Sequence, residues 1–283
     1  MSTVRPVLFN LSQHHPAHRW LGDPVEAFQI AANVVVDTAA KTIGTVYFFN
    51  GASTLLPPGQ TNALVAQLAR SGYRVVAPGW QLLPYDPYKY GYGSSSEPQH
   101  LHRWIKAAWL AQSVIEQDQG YSGLQRLDRA SYVVVSRSLG ATAVLALGAD
   151  YIAPTEAAIK EPGCKGVIAD GATLGGLGGN RWNDMNRTLG ELSQMIALNT
   201  IPEKTVLSYG GLDDYFPEAY QDCLRAVVPA GMRMIRRIGG NHSWFTREKN
   251  PGLVERWIGQ LMANDELALG NVAVSLVNAG SSR

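Results

Sequence analysis

The stretch SYVVVSRSLGATAVLALG, residues 131–148, passes from one kind of secondary structure to another with almost no loop between them. The β-branched residues Val133 to Val135 predict a short buried strand, and the Ala- and Leu-rich residues that follow predict a helix from Ser138. The sequence therefore predicts a tight strand-to-helix turn with a serine at its corner.

The surroundings of Ser138 are typical of a reactive serine. A tight turn of this kind holds the side chain above the carboxyl edge of the sheet, beside a helix N-terminus whose N–H groups favour negative charge. Ser136 and Gly140 are small enough to let the strand and helix backbones approach closely. The pattern matches a nucleophile elbow in which Ser136 replaces the usual first glycine. The alternative interpretation is that Ser138 only caps the helix.

Strand and helix patterns alternate from about residue 44 to residue 264, which predicts a mostly parallel twisted sheet with helices on both faces. We expect about eight strands, with an antiparallel edge contributed by the first strands, which have no helix between them. The predicted organisation is one α/β domain over 26–264, with a small lid inserted at about 172–199. Residues 1–25 are predicted to be an irregular arm, and residues 265–283 a tail that is partly disordered.

Composition excludes several function classes. The 283 residues are 46% hydrophobic and 17% charged, and the net charge of +1 gives no basis for binding nucleic acid. Cys164 and Cys223 form neither a disulfide framework nor a metal site. No window reaches the roughly 18 apolar residues of a membrane span, and no signal peptide is visible. We expect a soluble cytoplasmic protein, and the sequence predicts no oligomeric state.

A serine nucleophile needs a base, and acidic and basic side chains follow three of the predicted strands. His242 follows the strand at 232–240, past two glycines, and Asp213 and Asp214 follow the strand at 204–211. Asp170 lies at the end of the strand at 164–171. Because the carboxyl ends of parallel strands share one edge of a sheet, these groups are candidates to meet Ser138.

The order serine, aspartate, histidine on successive strand ends resembles the α/β-hydrolase superfamily over about residues 27–264. The resemblance implies a Ser-His-Asp triad that needs neither a metal nor an organic cofactor. In that family the acid commonly lies four residues before a proline that opens the next helix, and Pro217 has this spacing from Asp213. The resemblance thus favours Ser138, His242 and Asp213, with Asp214 second and Asp170 third among the acids.

The same resemblance suggests the oxyanion hole. The residue after the nucleophile, Leu139, supplies one backbone N–H. The loop Asn50-Gly51-Ala52-Ser53 looks like the family's His-Gly-x segment with Asn50 in place of histidine. Ala52 is then the second donor, with Ser53 as its substitute, and a plain Asn-Gly turn is the alternative.

The substrate is less defined. Trp80, Tyr88 and Tyr90 belong to an aromatic loop, 80–96, that either lines a groove for substrate or only fastens the loop to the body. Trp182 in the lid would bound an acyl pocket. We expect hydrolysis of a carboxylic ester of a small-molecule or polymeric acyl substrate. Amide or peptide hydrolysis, acyl transfer, and a non-catalytic binding protein are the alternatives.

Overall fold

The computed structural model describes residues 2–10, 29–51, 59–78, 111–119, 131–145, 163–172, 202–214, 216–228, 231–247, 251–263 and 274–276. Within these ranges the chain forms one nine-stranded sheet. The strands are β1 (Ser2–Asn10), β2 (Gln29–Asp37), β3 (Gly44–Phe49), β4 (Tyr73–Pro78), β5 (Tyr132–Arg137), β6 (Cys164–Asp170), β7 (Thr205–Gly210), β8 (Arg233–Arg237) and β9 (Val274–Leu276).

The described helices follow the strands in alternation. They are α1 (Ala63–Arg70), α2 (111–118), α3 (Leu139–Leu145), α4 (Glu218–Val227) and α5 (Pro251–Ala263), with a 3₁₀ turn at Pro202–Lys204. Helix α1 shows why such segments start where they do. The Asn62 side chain accepts a hydrogen bond of 2.8 Å from the Val65 backbone N–H, which satisfies one of the donors left open by the first turn.

The strands lie in the order β1-β2-β4-β3-β5-β6-β7-β8-β9. The six central strands, β4, β3, β5, β6, β7 and β8, run parallel to one another. The outer pairings are antiparallel: β1 with β2, β2 with β4, and β8 with β9. The prediction of a mostly parallel sheet with an antiparallel edge is confirmed. In this arrangement β3, β5, β6, β7 and β8 all end at the same edge of the sheet.

The prediction that residues 1–25 are irregular is wrong for residues 2–10. These residues form β1, which pairs with β2 over its full length. The reason is that β1 is an edge strand: the side chains of residues 2–8 are exposed or half-buried, so it lacks the apolar run of a central strand. The tail likewise contributes a strand, since Val274–Leu276 pairs with β8. The predicted lid lies outside the described residues, apart from Ala172.

Alternate strand residues point to two separate cores, one on each face of the sheet. In neighbouring strands, Ile168 and Val206 belong to the first core, and Ala169 and Leu207 to the second. Helices α1 and α5 cover the first face through buried residues that include Leu64, Leu68, Trp257 and Ile258. Helices α3 and α4 cover the second face through residues that include Ala141, Leu145, Tyr220 and Leu224. Helices therefore lie on both faces of the sheet, as predicted.

Helix α2 is joined to the sheet by a partly buried polar cluster that includes Arg74 near the amino end of β4. Arg74, the second residue of β4, donates to both carboxylate oxygens of Asp118 at 2.6 Å. The Tyr47 hydroxyl donates to the same carboxylate at 2.6 Å and accepts from the Gln119 amide. Burial, followed by the nearby Asp118 charge, raises the pKa of Tyr47. Asp118 thereby ties α2 to two strands at once.

Candidate active site

Ser138 occupies a strained corner between β5 and α3. Its φ of 50° lies in the left-handed region, which a residue with a Cβ adopts only at a cost in free energy. Its backbone N–H donates to the carbonyl oxygen of Asp170 at 2.8 Å, so the corner is held against the end of β6. The residue is half-buried, and α3 starts at the next position.

Close backbone packing explains the small residues around this corner. A Cβ atom added to Gly140 would lie 2.4 Å from the Phe49 carbonyl oxygen and 2.6 Å from that of Asn50, so only glycine fits there. Ser136 can stand where the elbow pattern has glycine because its fully buried hydroxyl donates to the Ile168 carbonyl oxygen at 3.0 Å. The serine side chain therefore adds no unpaired polar group to the core.

His242, which is half-buried, pairs with the buried Asp213. Nδ1 of His242 lies 2.9 Å from Oδ2 of Asp213, whose side chain has no exposed surface. The other oxygen of Asp213 accepts a hydrogen bond of 3.0 Å from the Phe216 backbone N–H. Asp214 is exposed, so the structure pairs the first of the two adjacent aspartates with the histidine. A carboxylate only accepts hydrogen bonds, and the shared proton is therefore assigned to Nδ1.

The turn after β6 brings the serine and the histidine together. Asp170 accepts the Ser138 backbone N–H, and the next residue, Gly171, packs against the imidazole of His242. A Cβ atom added to Gly171 would lie 2.9 Å from Cε1 and 3.1 Å from Nδ1 of His242. Gly171 also has a φ of +63°, which favours glycine. Ser138 and His242 thus flank the same two-residue turn.

Asp170 is fully buried, and its side chain is hydrogen-bonded to Thr246. Its Oδ2 accepts hydrogen bonds of 2.8 Å from both the backbone N–H and the hydroxyl of Thr246. Burial raises the pKa of Asp170 to about 6, against the lowering effects of the Thr246 bonds, the Ser208 hydroxyl and His242. The structure therefore places Asp170 beside the site, bound to the residues after His242, while Asp213 is hydrogen-bonded to the imidazole.

The turn that carries His242 is anchored along its length. Trp244 donates its indole N–H to the Tyr209 carbonyl oxygen at 2.8 Å. Ser243, which has a φ of 52°, donates its hydroxyl to the Asp170 carbonyl oxygen at 3.4 Å. Phe245 is buried and stacks on Trp257 of α5 with ring centroids 4.2 Å apart. These contacts fix the backbone around the imidazole from both sides.

The loop after β3 reaches the serine. A Cβ atom added to Gly51 would lie 2.9 Å from Cβ and 3.5 Å from Oγ of Ser138. Of the predicted oxyanion donors, Leu139 is the first residue of α3, whereas Ala52 lies outside the described residues, as does Ser53. Asn50 is buried at the base of this loop. The residues predicted to line the substrate groove or the acyl pocket also lie outside the described residues: Trp80, Tyr88, Tyr90 and Trp182.

Comparison with solved structures gives the fold. An esterase of Pyrococcus furiosus superposes with a TM-score of 0.56 at 11% identity, covering 92% of each chain. A dienelactone hydrolase from Anabaena variabilis superposes with a TM-score of 0.53 at 13% identity, covering 93% of this chain and 99% of its own. The chain has the α/β-hydrolase fold. No protein-family model and no curated protein sequence matches it.

In the α/β-hydrolase fold, reactive groups gather at the carboxyl edge of the strands, and the contacts described above lie at that edge. The described residues contain no cluster of three or more His, Cys, Asp and Glu side chains placed to hold a metal ion. None of the described helices is long and apolar enough to cross a membrane.

Two residues of the site carry no signal that sequence reasoning could use. Gly171 follows a predicted strand and reads as an ordinary strand end, yet it faces the imidazole. Thr246 lies four positions after His242 in a turn without periodicity, yet both of its donors bind Asp170. Only the three-dimensional meeting of β6 with the turn after β8 identifies them.

Proposed function

We propose that the chain is a serine hydrolase that cleaves a carboxylic ester with Ser138 as nucleophile, His242 as base and Asp213 as the orienting acid. The observation that carries the proposal is the partly buried hydrogen bond between Asp213 and His242, made beside the turn that also binds the Ser138 backbone. A helix-capping serine would need neither the left-handed corner nor an imidazole packed against the neighbouring turn.

The first half of the reaction acylates the serine. Asp213 holds Nδ1–H of His242, which leaves Nε2 with its lone pair to accept the Ser138 hydroxyl proton as Oγ attacks the carbonyl carbon. The bond from Oγ to carbon forms while the carbonyl π bond opens to an oxyanion. His242 then passes the proton to the leaving alcohol as the carbon–oxygen ester bond breaks. The product at this stage is an acyl-Ser138.

The second half reverses these roles with water as the nucleophile. His242 takes a proton from water, the hydroxide attacks the acyl carbon, and the proton returns to Oγ of Ser138 as the acid leaves. In both halves the oxyanion is assigned to the backbone N–H groups of Leu139 and Ala52. Loss of one such donor typically costs about 2.7–4 kcal/mol in the transition state.

The assignment to esters is the finer part of the proposal. Two proteins that share the fold are described as an esterase and a dienelactone hydrolase, which supports hydrolysis of an ester-type carbonyl. Amide hydrolysis and acyl transfer use the same acyl-enzyme and differ only in the leaving group and the acceptor. A substrate screen separates them: ester activity without amide activity supports the proposal, and transfer to an alcohol in preference to water identifies an acyltransferase.

Labelling with a fluorophosphonate tests the nucleophile directly. The wild-type protein should form a stable phosphonyl adduct on a peptide containing Ser138, and Ser138→Ala should abolish both the adduct and ester hydrolysis. Ser71→Ala is the matched control, because Ser71 lies at the end of α1 and its hydroxyl donates to the Gln67 carbonyl oxygen. A folded wild-type protein that is never labelled and hydrolyses no ester would indicate a non-catalytic binding protein.

A further inference from the structure

Asp170 binds the segment that carries the proposed base. Both donors of Thr246, the backbone N–H and the hydroxyl, lie 2.8 Å from Oδ2 of Asp170. Thr246 and Asp170 are both buried, so water does not compete for these hydrogen bonds. The contact joins the end of β6 to the turn that starts at His242, and nothing in the acylation chemistry uses it.

The backbone of the same residue holds the serine. The Asp170 carbonyl oxygen accepts the Ser138 N–H at 2.8 Å and, at 3.4 Å, the hydroxyl of Ser243. One residue therefore connects the nucleophile corner with the histidine turn, through its main chain on one side and its side chain on the other. Gly171 continues this connection by packing on the imidazole.

We propose that Asp170 is a positioning residue, whose side chain holds the turn at 242–247 through Thr246 and so fixes the imidazole of His242 relative to Ser138. The proposal rests on the function proposed above. Asp170 acts through Thr246, whereas Asp213 hydrogen-bonds the imidazole. Two buried carboxyl groups thus position one histidine. Asp213 does so by direct contact with the imidazole, and Asp170 through Thr246 in the turn that carries it.

The surroundings of the Asp170 carboxyl determine which substitution mimics it. Among the described residues, the titratable groups that face it are His242 and Tyr209, and the Ser208 hydroxyl beside it in the register of β7 also interacts with it. Burial raises its pKa to about 6, so the neutral acid is accessible near neutral pH. An asparagine keeps an oxygen for both Thr246 donors and places its amide nitrogen at the position of Oδ1, which has no hydrogen-bond partner among the described residues. Asp170→Asn should therefore preserve the positioning, and Asp170→Ala should remove it.

The test compares Asp170→Ala, Asp170→Asn and Thr246→Val with wild type by ester kinetics and by the rate of fluorophosphonate labelling. We expect kcat and the labelling rate of Asp170→Ala to fall roughly 10- to 100-fold with little change in KM, because a displacement of about 1 Å at a catalytic group can cost about 10²-fold. Thr246→Val loses only the hydroxyl and should fall a few-fold. Asp170→Asn should restore most of the activity.

Asp118→Ala is the matched control for loss of a buried carboxylate. Asp118 accepts hydrogen bonds from Tyr47 and from both terminal nitrogens of Arg74, and Arg74 lies at the amino end of β4, whereas the site lies at the carboxyl ends of the strands. Its variant should lower the melting temperature while kcat, measured well below that temperature, stays at the wild-type value. If Asp170→Ala behaves in the same way, the role of Asp170 is structural and the proposal is wrong.

A spectroscopic readout separates this proposal from the proposed function. The Nδ1 proton between His242 and Asp213 should give a low-field N–H resonance in the NMR spectrum of the wild-type protein. We expect it to persist in Asp170→Asn and to shift or broaden in Asp170→Ala and Thr246→Val, whether or not the protein hydrolyses esters. Unlabelled, inactive wild-type protein overturns the proposed function. An unchanged resonance and an unchanged kcat in both Asp170→Ala and Thr246→Val overturn the positioning role.

Discussion

At the scale of single residues, two adjacent aspartates have opposite environments. Asp213 is buried against His242, and Asp214 is exposed. We predict that Asp213→Asn lowers kcat by about 10³–10⁴-fold, because an amide can hold the imidazole in the wrong tautomer. Asp214→Asn should keep nearly full activity. Steady-state kinetics on an activated ester decides the matter, and the reverse ranking would move the acid to Asp214.

Gly171 offers a second test at this scale. Gly171→Ala should lower kcat strongly, because the new methyl group would lie 2.9 Å from Cε1 of His242. It should also cost about 1–2 kcal/mol of stability, since its φ is positive. Gly59→Ala is the control, because Gly59 has a φ of +82° with no atom within 4 Å of the added Cβ. Both variants should lose stability in urea unfolding, Gly171→Ala at least as much as Gly59→Ala, and only Gly171→Ala should lose activity.

The raised pKa of Asp170 predicts a pH dependence of stability. The pKa is 3.8 for an ordinary aspartate and about 6 in the folded protein, so the folded state binds more protons between these values. The contribution of Asp170 is full below about pH 4 and is lost as the pH rises through about 6. Asparagine does not ionise. The free energy of unfolding of wild type, relative to Asp170→Asn, should therefore fall by about 1–3 kcal/mol from pH 4 to 7, since one pKa unit is ~1.4 kcal/mol.

Urea unfolding of both proteins at pH 4, 5, 6 and 7 measures this difference directly, and ionisations common to the two proteins cancel. A difference that stays constant across the range, or that changes in favour of wild type, would show that the pKa of Asp170 is not raised in the folded protein. The raised pKa would then be wrong, while the hydrogen bonds to Thr246 would be unaffected.

Sequence reasoning at the residue scale was strongest where one backbone conformation demands particular residue types. The corner at Ser138 needs small neighbours, and both Ser136 and Gly140 carried that signal. The ranking of Asp213 above Asp214 came from a spacing to Pro217, and the structure pairs Asp213 with the histidine. Contacts between distant turns, such as Asp170 with Thr246, depend on tertiary packing and leave no local pattern.

At the scale of secondary-structure elements, α5 packs against the turn that carries His242. Phe245 stacks on Trp257, which is fully buried among the residues of the first core. We predict that Trp257→Ala lowers the free energy of unfolding by about 3–5 kcal/mol, the usual cost of truncating a large buried aromatic side chain. Trp257→Phe should recover much of that loss because it retains a ring against Phe245. Equal losses in the two variants, measured by urea unfolding, would contradict the stacking argument.

The central elements were predictable because they are buried on both faces and read as short apolar runs, as in β5 and β7. The strands at the two edges of the sheet were not predictable in this way. Strand β1 alternates weakly and exposes Leu8, so its pairing with β2 decides its structure more than its own composition does. The same holds for β9, a three-residue strand that forms only against β8.

At the scale of the whole molecule, the aromatic loop at 80–96 bears on substrate size, and its role stays a prediction from sequence. If Tyr88 and Tyr90 line a groove, Tyr88→Ala and Tyr90→Ala should spare a minimal activated ester and lower kcat/KM for long-chain or bulky esters. If they only fasten the loop, the melting temperature should fall, and kcat/KM should fall by a similar factor for short and long esters. Paired kinetics on short and long acyl esters, with the melting temperature of each variant, separates the two outcomes.

The central strands pair with strands that are distant in the sequence. Strand β3 has β4 on one side and β5 on the other, and its pairing of Thr45 with Tyr132 closes a long intervening loop. Such non-local pairing slows folding, because loop-closure entropy is lost before contacts compensate for it. During synthesis, the nucleophile corner can assemble only after β6 has left the ribosome, since Ser138 binds the Asp170 carbonyl oxygen. Refolding should therefore be slow, and regain of fluorophosphonate labelling should lag behind recovery of the helical circular dichroism signal.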